Sequence, residues 1–376
     1  MIVKEKNGKK IGLIDNDLVV RDRHNFPNLA IMKLSSYHKQ KGDYVRLIGF
    51  NEINPNSLFP NNYDLIYISK AFTDSYTPEY ISKLDNVKLG GTGFYFDKAD
   101  PLPSEIEHTM PDYAIYDNIL HTIKKKQFYT DYSIGYTTRG CFRHCPFCVN
   151  KNSNKVELHS PIDEFHDPNR KKLAMLDDNI LGLPDKHLFK IFDRLGEIGK
   201  SFQYRQGMDI RLLTEERIKR LFELKYDGDY YFAFDMWKYA DVIEKKMKLW
   251  YESYLKYKSS KRTYHIGTRI YLFTGLDESG MYNENFWKND IEILFKRIEI
   301  CFKYKLSPYV MRFETVDKSK FRRIYQNICQ WTNHPSMPCL KSSFSEFIED
   351  ASFGTKQTKE FFDKNKQLWK YLDLKL

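Results

Sequence analysis

Three cysteines within eight residues are the part of this sequence best suited to chemistry. Cys141, Cys145 and Cys148 are spaced C-x3-C-x2-C, directly after a strand-like stretch at 132–138. Thiolates so close in sequence can reach one inorganic centre only if a loop wraps around it. Iron–sulfur clusters are held by such thiolates, and a four-iron cluster normally takes four. The local set of three predicts one iron open to a non-protein ligand, and open positions usually mark catalysis.

This spacing is the signature of the radical S-adenosylmethionine (SAM) superfamily, which the chain resembles. The resemblance implies a 4Fe-4S cluster on Cys141, Cys145 and Cys148, with SAM chelating the fourth iron. It also implies reductive cleavage of SAM to a 5′-deoxyadenosyl radical that abstracts hydrogen from a substrate. A reductant such as flavodoxin or ferredoxin would supply the electron. Phe147 stands where the family usually has an aromatic residue near the adenine of SAM.

Two other interpretations of the cysteines stay open. One is a structural zinc site that borrows His144, Cys329 or Cys339, although the last two form no C-x2-C pair, which the common zinc patterns require. The other is a set of inert cysteines, with Pro146 serving only the turn. A non-catalytic iron–sulfur or zinc module is therefore the alternative from another class of function.

Chain length and net charge limit the domain organisation and the kinds of partner that the chain can have. A chain of 376 residues suggests two domains or one barrel with additions. The net charge of +10 permits a polyanionic partner such as tRNA, but the lysines are spread out, which favours solubility as their role. Radical modification of tRNA or another nucleic acid is therefore an alternative function and not the favoured one.

The sequence also predicts a cytoplasmic protein without a membrane partner. No apolar run approaches the ~20 residues of a membrane span. The start of the chain, Met1–Lys6, lacks the apolar core of a signal peptide. Six cysteines with three of them clustered do not form a secreted disulfide framework.

Residues 1–99 predict a Rossmann-like α/β domain, because strand and helix signals alternate. A helix is expected at Asn28–Lys41, ended by Gly42. The strand signals are Lys10–Leu18, Tyr44–Phe50, Tyr63–Ser69 and Val87–Leu89. The glycine-rich run Gly90–Gly93 weakly resembles a phosphate or nucleotide turn.

This layout resembles the cobalamin-binding-like domain that precedes many radical SAM barrels. In that domain a D-x-H-x-x-G motif supplies a histidine to cobalt. The segment Asp22–Pro27 places His24 correctly, but Pro27 replaces the glycine. Proline cannot take the positive φ that glycine allows. We therefore predict a degenerate domain and expect cobalamin to be unlikely as a cofactor.

After a connector at 100–131, residues 132–315 predict a partial (β/α)6 radical SAM barrel, and 316–376 a helical C-terminal extension. Functional residues of such barrels sit at the C-terminal strand ends and in the loops that follow, as the cysteines do. The strand signals are Tyr132–Thr138, Leu173–Leu176, Ser201–Gln206, Tyr230–Phe234, Thr268–Phe273 and Tyr309–Phe313. The helix signals are Glu215–Leu224, Tyr239–Lys256 and Asp290–Tyr304.

Three strand ends carry residues that the resemblance assigns to SAM. The D-D-N motif of Asp177, Asp178 and Asn179 would face the SAM amino group, from which a carboxylate or amide oxygen can accept a hydrogen bond. Asp235, after the fourth strand, would reach the ribose hydroxyls, and the backbone at Gly275, after the fifth, would approach the adenine edge. The alternative for the D-D-N motif and for Asp235 is a helix N-cap.

The third strand is followed by Gln206, Asp209 and Arg211, the candidate catalytic residues. Arginine binds a carboxylate in bidentate fashion, and aspartate can orient an N–H group. The alternative is an internal salt bridge between Asp209 and either Arg211 or Arg205. Arg312 and Glu314, at the sixth strand, are further candidates for the barrel mouth.

These residues predict a radical SAM enzyme acting on a polar small molecule. The reactive radical requires shielding from solvent. Carboxylates and arginines suit a substrate with N–H edges, such as a purine-like base. The specific hypothesis is queuine lyase activity, the C–N bond cleavage of queuine in 7-deazaguanine salvage.

Overall fold

The computed structural model describes residues 8–22, 24–56, 62–258, 266–333, 343–350 and 352–375. The chain divides into two compact units, Met1–Asp177 and Asp178–Leu376. Each contains parallel strands and helices, so the predicted α/β class is confirmed. The partial barrel and the domain boundaries at 99, 131 and 315 stay predictions.

The first unit has eight strands and five helices among its described residues. The strands are β1 Lys10–Asp15, β2 Tyr44–Leu47, β3 Leu65–Ser69, β4 Val87–Gly90, β5 Tyr132–Gly135, β6 Thr138–Arg139, β7 Glu157–Leu158 and β8 Lys172–Met175. The helices are α1 Asn16–Val20, α2 Leu29–Gln40, α3 Thr92–Tyr95, α4 Ser104–Glu107 and α5 Gln127–Thr130.

A four-stranded parallel sheet, ordered β2-β1-β3-β4, forms the first part of this unit. Its core is aliphatic, with Ile11 and Leu13 of β1 and Ile31 of α2 fully buried. The predicted first strand extended to Leu18, but β1 ends at Asp15. The Asp15 carboxylate accepts a hydrogen bond from the Leu18 N–H and so caps α1, which replaces the last part of the predicted strand.

The glycine-rich run after β4 has a structural explanation. Gly91 has a φ of +98°, and a Cβ on it would lie 2.4 Å from the carbonyl oxygen of Lys70. The N–H of Gly93 donates to that same oxygen at 2.8 Å. Close packing of two backbones therefore requires these glycines.

The second part of the first unit positions the cysteines. Strands β5 and β8 pair in parallel, with Tyr132 opposite Lys172. The predicted strand Tyr132–Thr138 is divided into β5 and β6, because β6 pairs with a different partner. Strand β6 is antiparallel to β7, with Thr138 opposite Leu158. The cysteines lie on the long connection between these two strands, each of which has only two residues.

The second unit alternates strands and helices. The strands are β9 Ser201–Tyr204, β10 Tyr230–Ala233, β11 Thr268–Thr274 and β12 Ser307–Arg312. The helices are α6 Asp185–Ile198, α7 Glu215–Glu223, α8 Ala240–Tyr257, α9 Glu284–Lys303, α10 Glu314–Lys318, α11 Arg322–Asn333, α12 Phe344–Glu349 and α13 Lys356–Lys364. Each strand predicted here is present, and the C-terminal segment is helical as predicted.

Strands β10, β11 and β12 form a parallel sheet. Two isolated parallel bridges pair Phe202 of β9 with Tyr226, and Met208 with Phe232 of β10. One face of the sheet packs on helices: Phe232 contacts the fully buried Trp250 of α8, with ring centroids 4.8 Å apart. The other face is only partly buried and carries Tyr231 and Tyr271. The unit therefore has an apolar face and a polar, aromatic face.

Among the described residues, no helix has the length and apolar character needed to cross a membrane.

Candidate functional site

Residues 140–156, the cysteine loop, connect β6 to β7, and the two ends of the loop are held together. Gly140 has a φ of +89°, and a Cβ there would lie 2.3 Å from the carbonyl oxygen of Lys155. Glycine is therefore required directly before Cys141. The Cys141 N–H donates to Ser153 Oγ at 3.2 Å, and Ser153 Oγ donates to the Lys155 carbonyl at 3.1 Å.

Inside the loop, backbone groups organise the second and third cysteines. The Cys148 N–H donates to the Cys145 carbonyl at 2.9 Å, and the Asn150 N–H donates to Cys148 Sγ at 3.4 Å. An N–H directed at sulfur stabilises a thiolate and is one means by which proteins tune iron–sulfur centres. His144, at a φ of +50°, donates from Nδ1 to the Lys151 carbonyl at 2.6 Å. Only its Nε2 would remain for the alternative zinc site.

The outer part of the loop is bound to the turn that follows α3. Lys151 Nζ lies 3.0 Å from Asp97 Oδ2, and Asn152 Nδ2 donates to the same oxygen at 3.2 Å. These contacts anchor the loop at a second point, away from its ends.

The three cysteines are half-buried, as is Phe147 beside them. Within the described ranges, no three His, Cys, Asp or Glu side chains converge in a metal-binding arrangement. The donor set nevertheless has the chemistry of a cluster site: three cysteines on one closed loop, with an N–H directed at a sulfur.

The remaining described cysteines belong to the second unit. Cys301 is fully buried on α9, and burial raises the pKa of its thiol, so it is an inert core residue. Cys329 Sγ lies 3.8 Å from the Val310 carbonyl oxygen. Cys339 lies outside the described residues.

Asp177 holds the strand end that leads into the cysteine loop. Its Oδ1 accepts hydrogen bonds from Thr137 Oγ1 at 2.6 Å, from the Thr138 N–H at 2.5 Å and from Thr138 Oγ1 at 2.6 Å. Its Oδ2 is buried and has no hydrogen-bond partner among the described residues. Burial raises the pKa of this carboxyl. Asp177 is thus not a helix N-cap, and one of its oxygens remains available as an acceptor.

Asp178 and Asn179 begin the second unit. Asp178 is half-buried. Asn179 is buried and occupies the N-cap position of the short 3-10 turn Ile180–Gly182, but its side chain makes no capping hydrogen bond. The structure places Asn179 at the predicted cap position without the bond that defines a cap.

Asp209 and Arg211 form the internal salt bridge that the sequence left as an alternative. Arg211 Nε donates to Asp209 Oδ1 at 2.7 Å, and Arg211 Nη2 donates to Oδ2 at 3.1 Å. The guanidinium also stacks over the Tyr239 ring at 4.6 Å. Gln206 is exposed on the preceding turn. Of the three predicted catalytic residues, two therefore bind each other.

Asp235 joins two strand ends and does not cap a helix. Its Oδ1 accepts a hydrogen bond from the Phe273 N–H of β11 at 3.1 Å, and the following 3-10 turn is capped at Met236. Burial raises the pKa of this carboxyl to about 6, an effect that Arg297 and Arg211 partly oppose. Asp235 and the Asp209–Arg211 pair thus interact electrostatically.

Gly275 lies at the end of β11 with a φ of +85°. A Cβ on it would lie 2.1 Å from Val316 Cγ2. Its N–H donates to Asp290 Oδ2 at 3.1 Å, an oxygen that also accepts from Thr274 Oγ1 at 2.5 Å and Tyr325 at 2.6 Å. The glycine is thus required by packing. At the sixth strand, Arg312 pairs with Asp317 at 3.2 Å, and Glu314 begins α10.

Two buried charged residues near these sites were not predicted. Glu107, at the end of α4, binds groups at both ends of the cysteine loop. An isolated glutamate in a connector offers no sequence signal for this. Arg297 donates from Nη1 to the carbonyls of Phe234, Asp235 and Phe273 at 2.8–3.0 Å. It stands on the apolar face of α9 between Leu294 and Cys301, and a charge in that register was a detectable signal.

Comparison with known proteins gives no family model and no curated protein that matches this chain. Among solved structures, two of the cobalamin-dependent S-adenosylmethionine radical enzyme OxsB are similar to it, one with aqua-cobalamin and S-adenosylmethionine bound and one with aqua-cobalamin bound. Their TM-scores are 0.38 and 0.37 at 14% identity. The alignments cover 97% of this chain but only 56% of each OxsB chain.

The prediction that cobalamin is unlikely is contradicted by these neighbours, both of which are cobalamin-dependent. That prediction depended on Pro27 in place of a glycine. In the structure Pro27 directly precedes Asn28, the N-cap of α2, so a fixed φ at this position serves the start of a helix and is not evidence against a ligand. The prediction is withdrawn.

Proposed function

We propose that this protein is a radical SAM enzyme and that the cysteine loop is its catalytic centre. The observation that carries the proposal is the C-x3-C-x2-C spacing of three half-buried cysteines on one closed hairpin connection. A structural zinc site would need a fourth ligand, for which His144 retains only Nε2, because its Nδ1 donates to the Lys151 carbonyl.

Cys141, Cys145 and Cys148 would hold a 4Fe-4S cluster, and the loop would keep their sulfurs partly shielded from water. When bound, the cluster would supply the electron that cleaves SAM to a 5′-deoxyadenosyl radical. The N–H of Asn150 would stabilise the thiolate of Cys148. The buried Oδ2 of Asp177, which has no partner among the described residues, supports its role as an acceptor for the SAM amino group. The SAM contacts of Phe147, Asp178, Asn179, Asp235 and Gly275 stay predictions.

We further propose a polar small molecule as the substrate. The partly buried face of the β10-β11-β12 sheet supports this choice: Tyr231, Tyr271 and Tyr309 lie side by side there, with ring centroids 5.3 and 5.7 Å apart. Tyrosine hydroxyls and rings suit a planar, hydrogen-bonding molecule. C–N cleavage of queuine is the specific reaction to test, with flavodoxin or ferredoxin as the electron donor.

Anaerobic reconstitution with iron and sulfide, followed by SAM and dithionite, tests this function. We expect a cluster absorbance and 5′-deoxyadenosine, quantified by mass spectrometry. A panel of purine and deazapurine compounds, queuine included, then tests the substrate. Stimulation by one compound would identify its class.

Two variants make the result specific. Cys145→Ala removes one of the three thiols and should abolish both the cluster and 5′-deoxyadenosine. The matched control is Cys329→Ala, which removes a thiol outside the loop and should leave both unchanged. Zinc in place of iron, with no SAM cleavage, would refute the proposal and favour a structural metal module.

A further inference from the structure

Glu107 lies at the junction of three segments of the first unit. It is 9% exposed, and its Oε1 accepts from Lys33 Nζ of α2 at 2.8 Å and from His159 Nε2 at 2.9 Å. Arg139 Nη2 lies 3.5 Å from the same oxygen. Lys33 also donates to the backbone carbonyl of Glu107. The Glu107 carboxylate thus contacts three basic side chains.

Two of these basic residues flank the cysteine loop. Arg139 ends β6, directly before Gly140, and His159 directly follows β7. The backbone N–H of His159 also donates to the Thr137 carbonyl at 2.8 Å. Residues 137–139 and 157–159 are the neck of the cysteine loop, and Lys33 of α2 connects this neck to the helix that covers the four-stranded sheet. Glu107 therefore joins both ends of the loop to the core of the unit.

The carboxylate is ionised over the whole physiological range. Burial by itself would raise the pKa of Glu107, but the hydrogen bonds from His159 and Lys33 outweigh it and lower the pKa to about 2. A buried charge of this kind is stabilised only by its partners, and the partners depend equally on it. Loss of the carboxylate would leave Lys33 and Arg139 as like charges without their common counter-ion.

We propose that Glu107 is a positioning residue that closes the neck of the cysteine loop and sets the electrostatic environment of the centre that the loop holds. This inference rests on the proposed function for its second part only. Its first part concerns the metal-free protein. Asp177, bonded to Thr137 and Thr138, holds the same neck from β8, so the loop is secured by two buried carboxylates.

The first test measures the neck without any metal. In metal-free, reduced protein, the rate of maleimide labelling of Cys141, Cys145 and Cys148 is followed by mass spectrometry. Glu107→Gln should raise this rate about tenfold, because a loss of about 1.4 kcal/mol in the closed state raises the open population tenfold. Glu105→Gln is the matched control, since Glu105 is exposed on the same helix, and it should leave the rate unchanged.

The second test reads the electrostatic role. In reconstituted protein, Glu107→Gln should shift the midpoint potential of the cluster upward, because removal of a negative charge favours the reduced state. Glu105→Gln should match the wild type. If Glu107→Gln does not fold, Arg139→Gln replaces it and should shift the potential downward, because it removes a positive charge. The Arg139 side chain is 42% exposed, so its loss is better tolerated.

The outcomes separate the two proposals. Unchanged labelling in both Glu107→Gln and Arg139→Gln would overturn the positioning role. Faster labelling with an unchanged potential would overturn its electrostatic part. Failure of the wild type to take up iron would refute the proposed function, while the labelling rates would still decide whether Glu107 closes the neck.

Discussion

The guanidinium of Arg297 donates a hydrogen bond to the backbone carbonyl of Asp235 at 3.0 Å. The same nitrogen bonds the carbonyls of Phe234 and Phe273, while the Asp235 carboxylate accepts from the Phe273 N–H. A helix residue and a strand-end residue thus fix the C-terminal ends of β10 and β11 against each other. This arrangement determines where the Asp235 carboxylate stands.

Arg297→Met should destabilise the second unit by about 3 kcal/mol, because three buried carbonyl groups would lose their donor. Arg297→Lys should destabilise the unit less, because an ammonium group retains three N–H donors, although on a shorter side chain. Denaturant unfolding measures both. Equal losses for the two variants would show that the packing of the long side chain matters and the hydrogen bonds do not. Arg322→Met, at an exposed position of α11, is the control.

The raised pKa of Asp235 predicts a pH dependence of stability. Between pH 3.8 and about 6 the folded chain holds a proton that the unfolded chain has released. Stability should therefore fall as pH rises through this window, by at most about 3 kcal/mol. Asp235→Asn retains the oxygen that accepts from Phe273 and removes the titration. Unfolding midpoints of both proteins between pH 4 and 7 check this, and parallel curves would contradict it.

Gly275→Ala should destabilise the second unit by about 2 kcal/mol or more, from a positive φ and a clash with Val316 together. Gly280→Ala separates the two causes, because Gly280 has a φ of +73° but open space around its Cα. Gly280→Ala should destabilise the unit by only about 1 kcal/mol. Adding Val316→Ala to Gly275→Ala tests the clash further by thermal unfolding. Val316→Ala should destabilise the Gly275→Ala protein less than it destabilises the wild type, because it relieves the clash. Additive losses of stability would exclude the clash.

The Asp209–Arg211 pair should behave as one unit. Asp209→Asn and Arg211→Met should each destabilise the chain, and the double variant should be less destabilised than the sum by about 1 kcal/mol. The reason is that each single variant leaves a partly buried charge without its bidentate partner. A double-mutant cycle by chemical denaturation provides the measurement. Additive effects would indicate that the two side chains act separately.

Local pattern by itself determined much of this protein. The cysteine spacing depends on eight consecutive residues, and the strands and helices follow from periodicity within short windows. Those predictions are confirmed as elements, from α2 through β12, with shifts at their ends. The strand predicted through Leu18 failed because one side chain, Asp15, capped a helix there.

Only the tertiary structure decided which polar residues meet. The Asp177 carboxylate accepts a hydrogen bond from Thr138, which lies 39 positions earlier in the sequence. The Glu107 carboxylate binds Lys33, 74 positions earlier, and so connects it to the neck of the cysteine loop. The sequence allowed both a substrate role and a salt bridge for Asp209 and Arg211; the structure shows the salt bridge, and the substrate role stays a prediction. A buried charge takes the partner that packing brings to it, and packing depends on residues far apart in the chain. Spacing therefore identified the cysteines, while the buried carboxylates that hold their loop were visible only in three dimensions.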